Sequence, residues 1–191
     1  MSKLTRLTLI THALTDAVAA ARFPADEPIN ELGRRALTKV GRPHLVDRAD
    51  LVLTGSEART RATAAALGAA ATPESALADL NYGAWAGRSM DALPPADLTA
   101  WLTDPGHRPP GGESLTDLLA RVSAWLPTLT ATPRRIAAVT HPAVVRAVIL
   151  LALDAPPKSF WRMDIAPLSA TTLHGRSTSW TLRATAHPLS S

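Results

Sequence analysis

Short apolar segments rich in β-branched residues recur along the chain and predict buried strands. The pattern favours strands over residues 6–10, 49–53 and 135–140, followed by a late pair over residues 169–174 and 179–185. The first and third strands end alike, because Ile10-Thr11 leads into His12 and Val139-Thr140 leads into His141. We therefore expect functional residues at the ends of these two strands.

Helical patterns fill most of the intervals between these strands. We predict helices over residues 30–40, 56–67, 113–126 and 142–153, with Asn30 as an N-cap and Pro142 at a first helical position. A broken helical segment is expected over residues 89–102, where Pro94-Pro95 interrupts it. Residues 186–191 carry no such pattern and are expected to be loose. Strands alternating with helices predict an α/β fold with a largely parallel sheet in one domain, residues 1–191.

Composition narrows the class of protein. The chain has 191 residues, 46% of them hydrophobic, and no apolar run of about 18 residues, so we expect no transmembrane helix. We interpret the apolar N-terminus as a strand and not as a signal peptide, and a cytoplasmic location fits the lack of cysteine. The net charge is +4, but the arginines are scattered, which favours a small anionic substrate over nucleic acid.

The two strand-end histidines are the first candidates for chemistry. Ligands of open α/β sheets bind beyond the carboxyl ends of the strands, so His12 and His141 could face one pocket. The competing interpretation is that each ring is only a buried, hydrogen-bonded side chain. A serine hydrolase is disfavoured, because Gly55-Ser56 lacks the second glycine of a nucleophile elbow.

Six short motifs follow one another in an order typical of one family. They are Thr11-His12-Ala13 with Arg22-Phe23, DEPINELGRR at 26–35, SEARTRATA at 56–64, LADLNYGAWAG at 77–87, GGESL at 111–115, and VTH at 139–141 with VRA at 145–147. From about residue 7 to residue 156 the chain resembles the histidine phosphatase superfamily. That resemblance implies the phosphoglycerate-mutase-like fold, a three-layer α/β/α arrangement with helices on both faces of the sheet and a short cap around residues 89–112.

The resemblance also implies roles for particular residues. His12 would be the nucleophile that forms a phosphohistidine, His141 its partner, and Asp79 the proton donor to the leaving oxygen. Arg59 would bind the phosphate, assisted by Thr11 and Arg22. The implied activity is hydrolysis of a small phosphorylated metabolite without a metal or other cofactor. A homodimer is compatible with the sequence, and the short cap favours hydrolysis over mutase chemistry.

Each of these residues has a simpler interpretation. Arg59 could be a solvated helix charge, with Arg61 as the true phosphate ligand, Asp79 could cap a turn, and Arg22 could be a loop charge. Glu113 is expected to begin a helix and not to act in catalysis.

The chain departs from the family pattern beside the predicted nucleophile. Thr11 stands where the family has arginine, Ala13 where it has glycine, and Pro142 follows the second histidine in place of glycine. Three outcomes stay open: phosphatase activity supported by other arginines, acid–base chemistry on a less charged substrate, or ligand binding without catalysis.

Overall fold

The computed structural model describes residues 4–132 and 134–189, and a six-stranded sheet lies at its centre. The strands are β1 Thr5–Thr11, β2 Leu51–Thr54, β3 Thr72–Pro73, β4 Arg135–Thr140, β5 Ser169–Arg176 and β6 Ser179–Pro188. Their order across the sheet is β3-β2-β4-β1-β5-β6. The first four in that order are parallel, whereas β5 is antiparallel to β1 and β6 to β5. The predicted mostly parallel sheet is confirmed.

Seven α-helices occur in the described residues. They are α1 Asp16–Ala19, α2 Glu31–Val40, α3 His44–Asp47, α4 Ala58–Ala66, α5 Pro95–Thr103, α6 Leu115–Trp125 and α7 Pro142–Ala152. Asn30 caps α2 through a hydrogen bond from the Gly33 amide, as predicted. The broken segment of the cap is a 3₁₀ turn, Met90–Ala92, followed by α5.

Two apolar clusters cover the two faces of the sheet. On one face Leu9 and Ala138 pack with Leu118 of α6 and Val148 of α7. On the other face the strands pack against α2 and α4, through residues that include Ile10, Val139, Leu37 and Ala64. Side chains of a strand point alternately to the two faces, so β1 and β4 contribute to both clusters. The three-layer arrangement is confirmed.

Several predicted boundaries were wrong, among them the start of the helix predicted from Glu113, which begins at Leu115 after an N-cap at Ser114. Residues 186–188 are not loose but belong to β6, where His187 pairs with Ala170, and Leu189 is buried in the second cluster. Residues 190–191 lie outside the described residues. The helix predicted from residue 56 begins at Ala58, because Glu57 is extended and its side chain is used elsewhere. Across residues 4–132 and 134–189, every helix falls short of the length and apolar character needed to cross a membrane.

Candidate active site

The parallel pairing of β1 with β4 brings the two predicted histidines together. Thr11 is in register with Thr140, so His12 and His141 leave adjacent strands at the same edge of the sheet. Their ring centroids are 5.2 Å apart, with the ring planes inclined by 62°. Both side chains are almost completely buried. The expectation that these two strand ends meet in one place agrees with this geometry.

The ring of His12 is held in one tautomer. Its Nδ1 lies 2.8 Å from the carbonyl oxygen of Ala13, which can only accept a hydrogen bond, so Nδ1 carries the hydrogen and Nε2 keeps its lone pair. Burial, and next the nearby His141, lower the pKa of His12 from 6.5 to about 4. His12 is therefore neutral near pH 7, with Nε2 available as a nucleophile or base.

The second histidine contacts carboxylates through both ring nitrogens. The Nε2 of His141 donates to Oε2 of Glu57 at 3.0 Å, and its Nδ1 lies 3.4 Å from Oδ2 of Asp79. These two oxygens fix the orientation of the ring, because it can turn only by breaking both contacts. His141 therefore presents one edge toward His12 in a defined geometry.

Glu57 is a site residue that sequence analysis missed. Besides His141, its carboxylate accepts a hydrogen bond from the backbone amide of Asp79 at 2.9 Å. Burial raises the pKa of Glu57, but the hydrogen bond and charge of His141 outweigh it and hold that pKa at about 2. The signal in the sequence was slight, since an acid beside Ser56 in front of a helix is most simply explained as a first-turn charge.

Arg59 is buried and paired, whereas Arg61 is exposed. An Nη2 hydrogen of Arg59 is donated to Oδ2 of Asp79 at 2.7 Å, and Nη1 donates to the carbonyl of Ala25. Oδ1 of Asp79 accepts from the amide of Leu80. Asp79 thus connects Arg59 to His141, and it is not a simple turn cap.

Some buried polar atoms of this cluster have no hydrogen-bond partner among the described residues, although two of them lie 3.4–3.9 Å from an oppositely charged group. They are Nε of Arg59, Nδ1 of His141 and Oε1 of Glu27. An unpaired buried polar group costs roughly 1–3 kcal/mol, so it calls for an explanation. Of these atoms, Nε of Arg59 is a donor in any protonation state, and an oxygen-rich anion could accept from it.

A cavity of about 410 Å³ opens above His12. It is bounded by the cap, by the ends of the strands and by the start of α7. Two cations, Arg22 and Arg146, and two acids, Asp79 and Asp164, line it. The rest of the lining is mainly apolar and aromatic: Val18, Phe23, Pro24, Tyr82, Met90, Trp101, Pro142, Ala143, Trp161, Ile165, Ala166 and Pro167. Arg59 lines a smaller adjoining cavity on the other side of Asp79.

Arg146 is the cation that sequence analysis left without a role. Its Nε donates to the carbonyl of Met163 at 2.9 Å, and its guanidinium lies 5.6 Å from the ring centroid of Phe160 and 5.9 Å from that of Trp161. Burial lowers the pKa of Arg146, although an arginine stays charged at neutral pH. These contacts hold a positive charge in the wall of the cavity.

The structure places Thr11 outside this cavity. Its hydroxyl lies 2.6 Å from the carbonyl of Ala166 and accepts from the amide of Ser169, and its side chain is buried. A hydrogen bond to a substrate would require this hydroxyl to leave Ala166. Ala13 is also buried and packs toward α2 beside Gly33, so its methyl group does not block the cavity.

Metal binding was not expected, and within the described ranges no group of three or more His, Asp and Glu side chains is arranged to hold a metal ion. His12, His141 and Asp79 lie together, but Arg59 already occupies the carboxylate. What the cluster can do chemically is to attack, orient and protonate a polar substrate.

Comparison with known proteins places this geometry in a family. The model of the histidine phosphatase superfamily (branch 1) matches residues 7–187. Among curated proteins, the bifunctional protein Rv2228c of Mycobacterium tuberculosis is 28% identical over 180 residues, covering 86% of this chain and 49% of that protein. The chain therefore spans about half the length of the curated relatives it matches.

Solved structures agree along almost the whole chain. A mycobacterial glucosyl-3-phosphoglycerate phosphatase, Rv2419c, in complex with VO₃ is 26% identical with a TM-score of 0.80, covering 94% of this chain and 98% of that one. A protein described as mycobacterial hydrolase 1 is 25% identical with a TM-score of 0.84, covering 97% of this chain and 100% of that one.

Proposed function

The chain belongs to the histidine phosphatase superfamily, and from this we propose that it hydrolyses a small phosphomonoester through a phosphohistidine at His12. The observation that carries the proposal is the protonation, tautomer and position of the His12 ring. Its ring is neutral, its Nδ1 hydrogen is held by Ala13, and it forms part of the lining of a cavity that contains two arginines. Phosphatases among the similar solved structures support the reaction class.

In the first step Nε2 of His12 attacks phosphorus in line with the ester oxygen. A nitrogen–phosphorus bond forms, the phosphorus–oxygen bond breaks, and the alcohol leaves with a proton from Asp79. Asp79 lines the cavity beside His12, so its carboxyl group can reach the leaving oxygen and carries the transferred proton before this step. In the second step Asp79 takes a proton from water, which displaces His12 and releases inorganic phosphate.

The charge that the family obtains from the arginine before the nucleophile must come from elsewhere. Arg22 and Arg146 line the cavity, and both can contact a phosphoryl oxygen without breaking an ion pair among the described residues. Phosphoryl transfer depends mainly on such positioned positive charge.

A second function is favoured by one observation. Thr11 brings no charge, and Arg59 is already paired with Asp79, so the site holds less free positive charge than the sequence motif implies. A member of the family that binds a phosphorylated ligand without turning it over would fit this arrangement. The experiment below separates the two functions.

The test is phosphate release from an aryl phosphate and from a panel of sugar and nucleotide monoesters. We expect release by the wild type and none by His12→Ala, because the variant lacks the nucleophile, while His44→Ala, changed at an exposed histidine on α3, keeps the activity. Intact-mass spectrometry after rapid mixing should show a phosphoryl group on the wild type only. No release from any ester would favour the ligand-binding function.

A further inference from the structure

Most of the aromatic residues of this protein gather at one place. The chain has five tryptophans, two phenylalanines and one tyrosine. All but two of these form a continuous cluster around the cavity above His12. The members are Phe23, Tyr82, Trp85, Trp101, Phe160 and Trp161.

Trp101 of α5 is the centre of this aromatic cluster. Its ring centroid lies 4.3 Å from that of Trp161, 5.3 Å from Phe23 and 6.3 Å from Tyr82. These separations match the favoured tilted and edge-to-face arrangements of aromatic pairs. The cap and the segment after α7 are thereby joined above the strand ends.

The cluster is not closed on itself. Phe23 and Trp101 are buried and form its back, whereas Tyr82 and Trp161 are only partly buried and line the cavity. Met90 is 41% exposed at the same cavity. A purely structural core would cover these surfaces, since leaving apolar area in water costs roughly 25 cal/mol per Å².

The charged or polar groups and the aromatic groups of the cavity come from different elements. His12 enters from the end of β1, and Arg146 enters from α7, where its guanidinium lies against the ring of Trp161. Phe23, Tyr82 and Trp101 come from the cap side. The cavity of about 410 Å³ lies within the size range of small-molecule sites, roughly 300–1,000 Å³. One ligand can therefore place an anionic group at His12 and an apolar ring against the aromatic wall.

We propose that the alcohol released by this enzyme carries a planar apolar ring, which binds between Tyr82, Trp161 and Met90 while the phosphoryl group lies at His12. This substrate class rests on the proposed phosphatase function. Hydrolysis breaks the phosphorus–oxygen bond and leaves the ring-bearing alcohol in the aromatic wall. A ring stacked there covers the exposed faces of Tyr82 and Trp161.

The experiment compares two esters that differ in the ring but not in the kind of leaving group. In 2-phenylethyl phosphate and propyl phosphate, both leaving groups are primary alkoxides, so their intrinsic reactivities are similar. We expect kcat/KM to be about 10- to 100-fold higher for the phenylethyl ester, because burial of the ring adds binding energy. Equal kcat/KM values would overturn the ring site and leave the phosphatase function intact.

A pair of variants locates the effect. Trp161→Leu should lower the ratio of the two kcat/KM values toward one, because it removes part of the aromatic wall. Trp180→Leu changes a buried tryptophan on β6 that does not line the cavity and should keep the wild-type ratio. An unchanged ratio in Trp161→Leu, with the protein folded by circular dichroism, would contradict the assignment of the ring to this wall.

If neither ester is hydrolysed, the proposed function fails and the site is tested by binding alone. Calorimetry would then compare 2-phenylethylphosphonate with propylphosphonate on the wild type. At least tenfold tighter binding of the phenyl compound supports the ring site in a protein without turnover. Equal affinities overturn it.

Discussion

At the residue scale, burial favours the neutral form of His12, the form that the proposed nucleophilic attack requires. A histidine in water is partly protonated near neutral pH, and the protonated ring has no free lone pair on Nε2. Here desolvation and the neighbouring His141 keep the ring neutral, and the Ala13 carbonyl selects which nitrogen is free. Keeping this ring neutral in the fold should therefore lower the free energy of unfolding at acidic pH.

The lowered pKa of His12 makes the free energy of unfolding depend on pH, and the direction of the change can be predicted. The pKa of His12 is about 4 in the folded protein and 6.5 in the unfolded chain, so the unfolded chain takes up the proton first as the pH falls. The free energy of unfolding should therefore fall between pH 6.5 and pH 4, by about 3 kcal/mol from this residue. Urea denaturation should show a smaller fall in His12→Gln, and parallel curves for the two proteins would contradict this account.

Among the arginines that line the cavity, Arg146 should have the largest effect on kcat/KM. We expect Arg146→Gln to lower kcat/KM for the best phosphomonoester by roughly 10- to 100-fold, the loss of one charge-assisted hydrogen bond of about 1.5–3 kcal/mol. Arg162→Gln is the control, because Arg162 is exposed at the end of the 3₁₀ helix Pro157–Arg162, which follows α7, and does not line the cavity. Steady-state kinetics on both variants test this prediction. Equal losses of kcat/KM in the two variants would indicate a general effect of charge and contradict a specific role of Arg146.

At the element scale, α6 holds the loop that carries Asp79. Arg121 of α6 donates to the carbonyls of Ala76, Ala78 and Asp79, at 2.8, 3.0 and 3.2 Å, and it forms an ion pair with Glu113. These carbonyls belong to the 3₁₀ turn Ser75–Leu77 and to the irregular backbone that follows it, so Arg121 supplies donors that regular secondary structure does not. Arg121 therefore acts as a positioning residue for Asp79 and, through it, for His141.

The matching test compares two arginines that form ion pairs near the N-terminus of α6. Arg121→Met should lower the free energy of unfolding by about 2 kcal/mol, because it leaves three partly buried carbonyls without this donor, and it should lower kcat more than it raises KM. Arg108→Met removes only an exposed ion pair with Asp117 and should cost less than about 0.5 kcal/mol. Chemical denaturation and kinetics measure both effects, and similar behaviour of the two variants would refute the positioning role.

At the scale of the whole molecule, Leu189, which directly follows β6, covers part of the second face of the sheet. Leu189 is 8% exposed, packs into the cluster with Ile10 and Val139, and donates its amide to the carbonyl of Leu168. Leu168 in turn donates to the carbonyl of His12. The last described residue is thus joined through two hydrogen bonds to the backbone of His12.

We expect Leu189→Ala to lower the free energy of unfolding by about 2 kcal/mol, at the low end for a buried leucine because the site lies at the surface of the core. Leu153→Ala, at a leucine that is 57% exposed, is the matched control and should change stability by less than about 0.5 kcal/mol. Thermal and chemical denaturation provide the comparison. A loss no larger than that of the control would mean that this segment does not stabilise the sheet.

Local patterns in the sequence were enough to predict the longer strands, the larger helices and the strand-end positions of His12 and His141. Apolar β-branched runs specify strands locally, and a residue that directly follows a parallel strand must lie at its carboxyl edge whatever the rest of the chain does. The extent of β6 and the strand β3 were missed, because exposed edge residues carry little apolar pattern.

How the charges are shared among the site residues follows from tertiary packing and could not be predicted from the sequence. The contact of Glu57 with His141 joins residues 84 positions apart, and that of Arg59 with Asp79 joins residues 20 apart. Likewise, Arg146 and the aromatic wall reach one cavity from separate segments of the chain. Such pairings depend on how helices and loops pack on the sheet, because a charged side chain on an isolated segment has no local reason to prefer a buried partner over water.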